Sequence, residues 1–279
     1  MHERNAHPPR PANLLFENLF LRRKSLDTLK VISVGLSSFV VNSSRLIADV
    51  DLLECSARYP SASFLLATAD EEMAKSYILL DACRLDFSRH QDVLKGLCRA
   101  FYNHVAKHAY NKVLRFPNLR NMTHVNELWD VEVTRWWPSS DPESGEPDMP
   151  HDTYFAREMP LYVDFIDYDQ DWFVPKKNTG KVNFEDDLDS RFSESEAALE
   201  RLRRTHNAGL YRPECLAILN ETFRNHHIKE DTPNEEIIRL EEQTAEQIEK
   251  KIGIPRAQFC QSALSEWPLY HFVVSSKGM

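Results

Sequence analysis

The residues best able to do chemistry lie between positions 60 and 113. Glu71, Glu72 and Lys75 come first, in the run Ala69-Asp-Glu-Glu-Met-Ala-Lys75. Arg99, Asn103, His104, Lys107 and His108 follow within ten positions of one another. An imidazole can move a proton near neutral pH, and a guanidinium or ammonium can hold charge on a phosphoryl oxygen. A carboxylate nearby can orient or balance both. The set has the parts for acid–base chemistry on a phosphodiester.

Two helices must position these groups. Pro60 suits the start of the first, which the spacing carries to about Phe87. Its stripe reads Ala62, Leu65, Ala69, Glu72, Ser76, Leu79 and Cys83. Glu72 thus falls where a core residue is expected, and a buried carboxylate needs a cation from a neighbouring helix. Glu71 and Lys75 then read as a surface pair four positions apart. The plainer alternative is a stripe displaced by one position. Ser88 is placed to cap the second helix, predicted to about Val113, with Leu94, Leu97, Phe101, His104 or Val105, and His108 along one side. Arg99 and His104 stand five positions apart, about 140° on an ideal helix. They do not share a stripe, but both can border one groove, particularly one formed between two copies. His104 and His108 share a helix face, a spacing that also suits a metal. Lys107 between them favours an anion over a cation, and no Glu-x-x-His occurs to suggest a di-iron bundle. No metal and no cofactor are therefore expected.

Composition narrows the class. The chain has 279 residues and a net charge of −9, with 42% hydrophobic residues. An acidic balance argues against a general nucleic-acid coat but leaves room for a local basic cleft. Seven glycines and long periodic segments favour helices. Five scattered cysteines without a Cys-x-x-Cys read as free thiols in a reducing cytosol. The stretch Val31–Val41 is too short to span a bilayer, and no signal-peptide core is seen at the N-terminus. A cytoplasmic protein with no membrane partner is expected.

Along the chain, residues 1–13 read as a disordered tail and 14–115 as a helical core. Residues 116–190 form an irregular acidic and aromatic segment, and 191–279 supply further helices. Within the core, 24–40 leans to helix over a short buried strand, and Asn42–Arg58 reads as a separate helix. Leu161–Tyr168 alternates as a strand would. Ser193 and Glu196 suggest a capping box. Further helices are expected over Pro213–His227, Thr232–Gly253 and Pro255–Glu266.

Three segments together resemble a known family. Arg58–Lys75, with its Ala-rich Glu-Glu-x-x-Lys helix, Asn103–Lys107, with His-x-x-Lys, and Leu161-Tyr-Val-Asp164 are similar to AbiV-type abortive-infection proteins of the HEPN superfamily. The resemblance covers about residues 40–176. It implies an all-α, HEPN-like antiparallel helical bundle with a long irregular insertion holding one or two short strands, plus extra C-terminal helices. It also implies a role in defence against phage. Ribonucleases of the superfamily often carry an Arg and a His four to six residues apart, and dimerise to form one composite, metal-independent RNA-cleaving site. Arg99 and His104 match that spacing. They would be the catalytic pair of a homodimer acting on RNA, with Glu72, Lys75, Asn103, Lys107 and His108 supporting catalysis or RNA binding. A phage-encoded protein would be a candidate activator. One departure stands out: the residue after the Arg is commonly polar in active members, and here it is Ala100. The alternative expectation is a non-catalytic helical binding protein that recognises a phage protein or a nucleotide and arrests translation.

Overall fold

The computed structural model describes residues 25–114 and 191–269 except 227 and 230, a few positions before residue 25, Pro160, and the backbone of 164–166, 171–173 and 184–190. The expected tail over 1–13 and most of the acidic and aromatic segment over 116–190 lie outside the described residues.

Helix α1 spans Ser25–Cys55, joining the two segments expected to be separate. Leu29, Ile32, Leu36, Val40, Ile47 and Val50 recur at helical spacing and form its buried face. By length and composition it could cross a membrane, yet that face is packed against other helices. It ends in a left-handed cap. Ala57 takes φ 54°, Arg58 N–H donates to the Leu53 carbonyl at 2.8 Å, and Ala57 N–H donates to Glu54 at 2.8 Å. The reversed chain enters α2, Tyr59–Cys83, through Pro60.

Helix α2 is the central element. From Met73 to Cys83 only Lys75 escapes full burial. It packs mainly against α1, and Gly35 lets the two approach: a Cβ there would stand 3.3 Å from Leu79 Cδ1.

The single helix expected over Ser88–Val113 is two helices, α3 over Gln91–Tyr102 and α4 over His104–Leu114. Asn103 makes the break. Its backbone is extended, and its side-chain Oδ1 accepts from Ala106 N–H at 3.0 Å, capping α4. Ser88 does not cap α3. It binds Asp86 Oδ1 instead, through both its N–H and its hydroxyl.

Asp164–Ile166 and Asp171–Phe173 pair antiparallel over three residues each, with Phe165 opposite Trp172. Among the described residues these two short strands pair with each other alone, and every other element is helical. Helix α5 spans Phe184–Asn207, so Ser193 lies within a helix and not at its cap. Then come α6, Pro213–Phe223; α7, Asn234–Ile252; α8, Arg256–Cys260; and a 3-10 turn at Ala263–Ser265. Helices α5 and α6 pack directly on α1 and α2. The C-terminal third therefore completes the same bundle.

A buried polar clamp holds that last third in place. Arg84 donates to Asp81 Oδ1 and to the carbonyls of Leu264 and Glu266, each at 2.8 Å. Asp81 Oδ2 accepts from Tyr110 Oη and from Leu269 N–H, each at 2.8 Å. Asn220 Nδ2 donates to the Cys83 and Leu85 carbonyls. Helices α2, α4 and α6 and the chain around 264–269 are thereby tied at one point.

Candidate active site

The carboxylate at the centre of the site is Glu71, not Glu72. His104 Nδ1 lies 2.8 Å from both Glu71 oxygens, and Lys107 Nζ lies 2.6 Å from Oε2. His104 opens α4 and Lys107 follows one turn later, so both face α2 at the same level. Their side chains differ in access: Lys107 is 5% exposed, Glu71 12% and His104 34%. The imidazole is the member that a ligand can reach.

The protonation pattern follows from these contacts. Burial would raise the Glu71 pKa, but hydrogen bonds and charge from Lys107 and His104 bring it below its ordinary value. An ionised carboxylate only accepts, so His104 Nδ1 must carry the hydrogen. In the neutral ring, Nε2 then keeps its lone pair. Burial lowers the Lys107 pKa, with Lys75 adding to that, and Glu71 and Glu72 offset only part of it.

Glu72 belongs to a second, adjacent pair. It forms an ion pair with Lys75, three positions on, and accepts from Asn42 Nδ2 at 3.2 Å. Lys75 also sits over the rings of Phe39 and Phe101, 5.6 and 5.5 Å from their centroids. The expectation that Glu72 balances the cations of the next helix is thus corrected by one position. The expected Glu71–Lys75 pair is replaced by Glu72–Lys75.

The other expected residues fall as follows. Asn103 is the cap of α4 and acts through backbone geometry. His108 is half-buried one turn after His104. Arg99 stands exposed in the last turn of α3, and no bond joins it to His104 among the described residues. Ala100, beside it, is buried. The helix break at Asn103 means that the rotation expected for Arg99 and His104 on one helix does not apply. Among the described residues, no group of three His, Cys, Asp or Glu side chains gathers as a metal site would.

The site thus sets a helix that carries an imidazole and an ammonium against a helix that carries the carboxylate, within an all-helical bundle. The AbiV family model matches residues 32–190, more than half of the chain, and the chain belongs to that family. No curated protein and no solved structure matches. The matched segment contains the whole Glu71, His104 and Lys107 cluster, whereas most of α5 and everything after it lie beyond the match.

Proposed function

We propose that this abortive-infection-type HEPN protein is a metal-independent endoribonuclease whose site is completed by a second copy of the chain. The single observation that supports it is the Glu71–His104 contact at 2.8 Å. It fixes the ring with Nδ1 toward the carboxylate and Nε2 toward the accessible side. His104 Nε2 takes the proton of a ribose 2′-hydroxyl, whose oxygen attacks the adjacent phosphorus. The P–O5′ bond breaks, the 5′-oxygen takes a proton from water, a 2′,3′-cyclic phosphate forms, and His104 gives its proton back to solvent. Glu71 stabilises the imidazolium as it develops. Arg99 of the second copy stabilises the charge on the phosphoryl oxygens, since Arg99 of the same chain is exposed and no bond joins it to His104 among the described residues. Lys107 holds Glu71 in place and adds positive field.

The test is RNA incubated with the purified protein in EDTA. Cleavage with cyclic or 3′-phosphate ends, lost in His104→Ala, is the expected result. A His104→Ala protein that protects cells from phage as fully as wild type overturns the nuclease reading. A second reading draws on the buried Ala100 and on a Glu71 carboxylate already engaged by two partners. In it the cluster is a structural ion network in a binding protein, whose helical groove recognises a phage protein or nucleotide.

A further inference from the structure

Helix α1 has a second regular face, on the side away from its core. Asp27, Val31, Val34, Ser38, Val41, Arg45, Ala48 and Leu52 alternate at spacings of four and three, the heptad pattern of a helix that pairs with another helix. Val34 is 68% exposed and Val41 66%. Between them runs a groove of about 490 Å³ floored by Ser33, Ser37 and Ser38. Ser37 Oγ donates to the Ser33 carbonyl at 3.1 Å, and Ser38 Oγ to the Val34 carbonyl at 2.8 Å. The Ser37 and Ser38 hydroxyls already have acceptors, so another apolar surface can cover these two without stranding a donor.

We infer that this stripe pairs antiparallel with the same stripe of a second copy, about a two-fold axis at residue 36. The register comes from charge and shape. In that alignment Val31 lies opposite Val41, Val34 opposite Ser38, and Asp27 opposite Arg45. The inner layers then set Val against Val and Val34 against the small Ser38, and the end layers set a carboxylate against a guanidinium. In the single chain each of these two charges is paired with an exposed residue of its own helix, Lys30 for Asp27 and Asp49 for Arg45. A parallel pairing would set Arg45 against Arg45 and Asp27 against Asp27, which like-charge repulsion disfavours. The overlap from 27 to 45 is about 28 Å at 1.5 Å per residue. Its centre is also close to the site. Phe39, one turn from the axis, meets Phe101 edge to face at 5.8 Å, two residues before the Asn103 break. Asn42 reaches Glu72. The α3–α4 junctions of both copies therefore lie near the axis, where Arg99 of one copy can approach His104 of the other.

This inference rests on the two-copy site proposed above, and the experiment separates them. Light scattering at micromolar concentration should give twice the 32.5 kDa chain mass for wild type. Val34→Glu with Val41→Glu should halve that mass and leave the helical circular dichroism of the chain unchanged, because neither side chain belongs to the core of the single chain. In a Cys55→Ser, Cys260→Ser background, the Val31→Cys, Val41→Cys double variant should form disulfide-linked dimers on oxidation, and neither single variant should. A dimeric wild type whose glutamate variant stays dimeric, or whose double cysteine variant fails to link, overturns this surface and leaves the two-copy site standing. A monomeric wild type overturns both. A monomeric wild type whose glutamate variant melts lower would also show that the chain's own residues cover the stripe.

Discussion

Replacing Glu71 with alanine tests the site and the scaffold together. Its carboxylate is the close partner of the Lys107 ammonium, which is 5% exposed and cannot reach bulk water without moving. Breaking one side of a buried pair typically costs about 3–5 kcal/mol, because the remaining charge is left uncompensated. For a chain of this size that corresponds to a melting temperature lower by about 5–9 °C. Glu72→Ala should differ. Lys75 keeps its two aromatic neighbours and can turn outward, so the cost should be about 1 kcal/mol. Glu71→Gln with Lys107→Met removes both charges and should recover most of the lost stability. Differential scanning calorimetry on the set reads these effects directly. A Glu71→Ala protein that melts within about 2 °C of wild type, or melts no lower than Glu72→Ala, refutes the assignment of Glu71 as the buried partner.

Acid should act on the same carboxylate. Because the folded Glu71 pKa is lowered, its contribution is present above the ordinary value near 4.5 and is lost as pH falls through the folded value. Wild type should therefore lose stability faster than Glu71→Gln below about pH 4.5. Glu241 has the opposite sign. Burial, reinforced by Glu266 and only partly offset by Arg84, raises it to about 8. The proton it keeps favours the folded state in acid, and that advantage is lost as pH rises from 4.5 to 8. Glu241→Gln should flatten this part of the stability–pH curve and raise stability at pH 8 by about 1–3 kcal/mol. A curve parallel to wild type would show that Glu241 is hydrated. Asn220→Ala leaves the Cys83 and Leu85 carbonyls without their donor and should cost about 2–4 kcal/mol in urea unfolding. A change under 1 kcal/mol would show that the clamp is not needed to hold α6.

The sequence made the helical class and the family legible because both rest on long periodic segments and on short runs of chemistry-bearing residues. The phase of α2 was not legible. Its apolar residues run around nearly the whole circumference after Met73, since α1, α4, α5 and α6 enclose it. No stripe then distinguishes position 71 from 72. The break at Asn103 was missed because Phe101 to Val113 keeps a helical rhythm across it. Only the Asn itself marked the cap, its side-chain oxygen taking the Ala106 N–H three residues on. Arg84 carried no signal of burial. Its partners Leu264 and Glu266 lie 180 residues and more away, and such a pairing is settled by tertiary packing alone. The outer face of α1 was hidden for another reason: its heptad runs alongside a stronger core pattern on the same helix.

The central claim is that Arg99 of one copy works with His104 of another, and mixed dimers test it most directly. Arg99→Ala and His104→Ala would each be expressed alone and then together, with phage protection as the readout. Each alone should be inactive. Together, half of the dimers should be mixed, each with one of its two sites intact, so about a quarter of wild-type activity should return. A mixed population as inactive as either variant alone, with both chains folded and dimeric, would contradict the account.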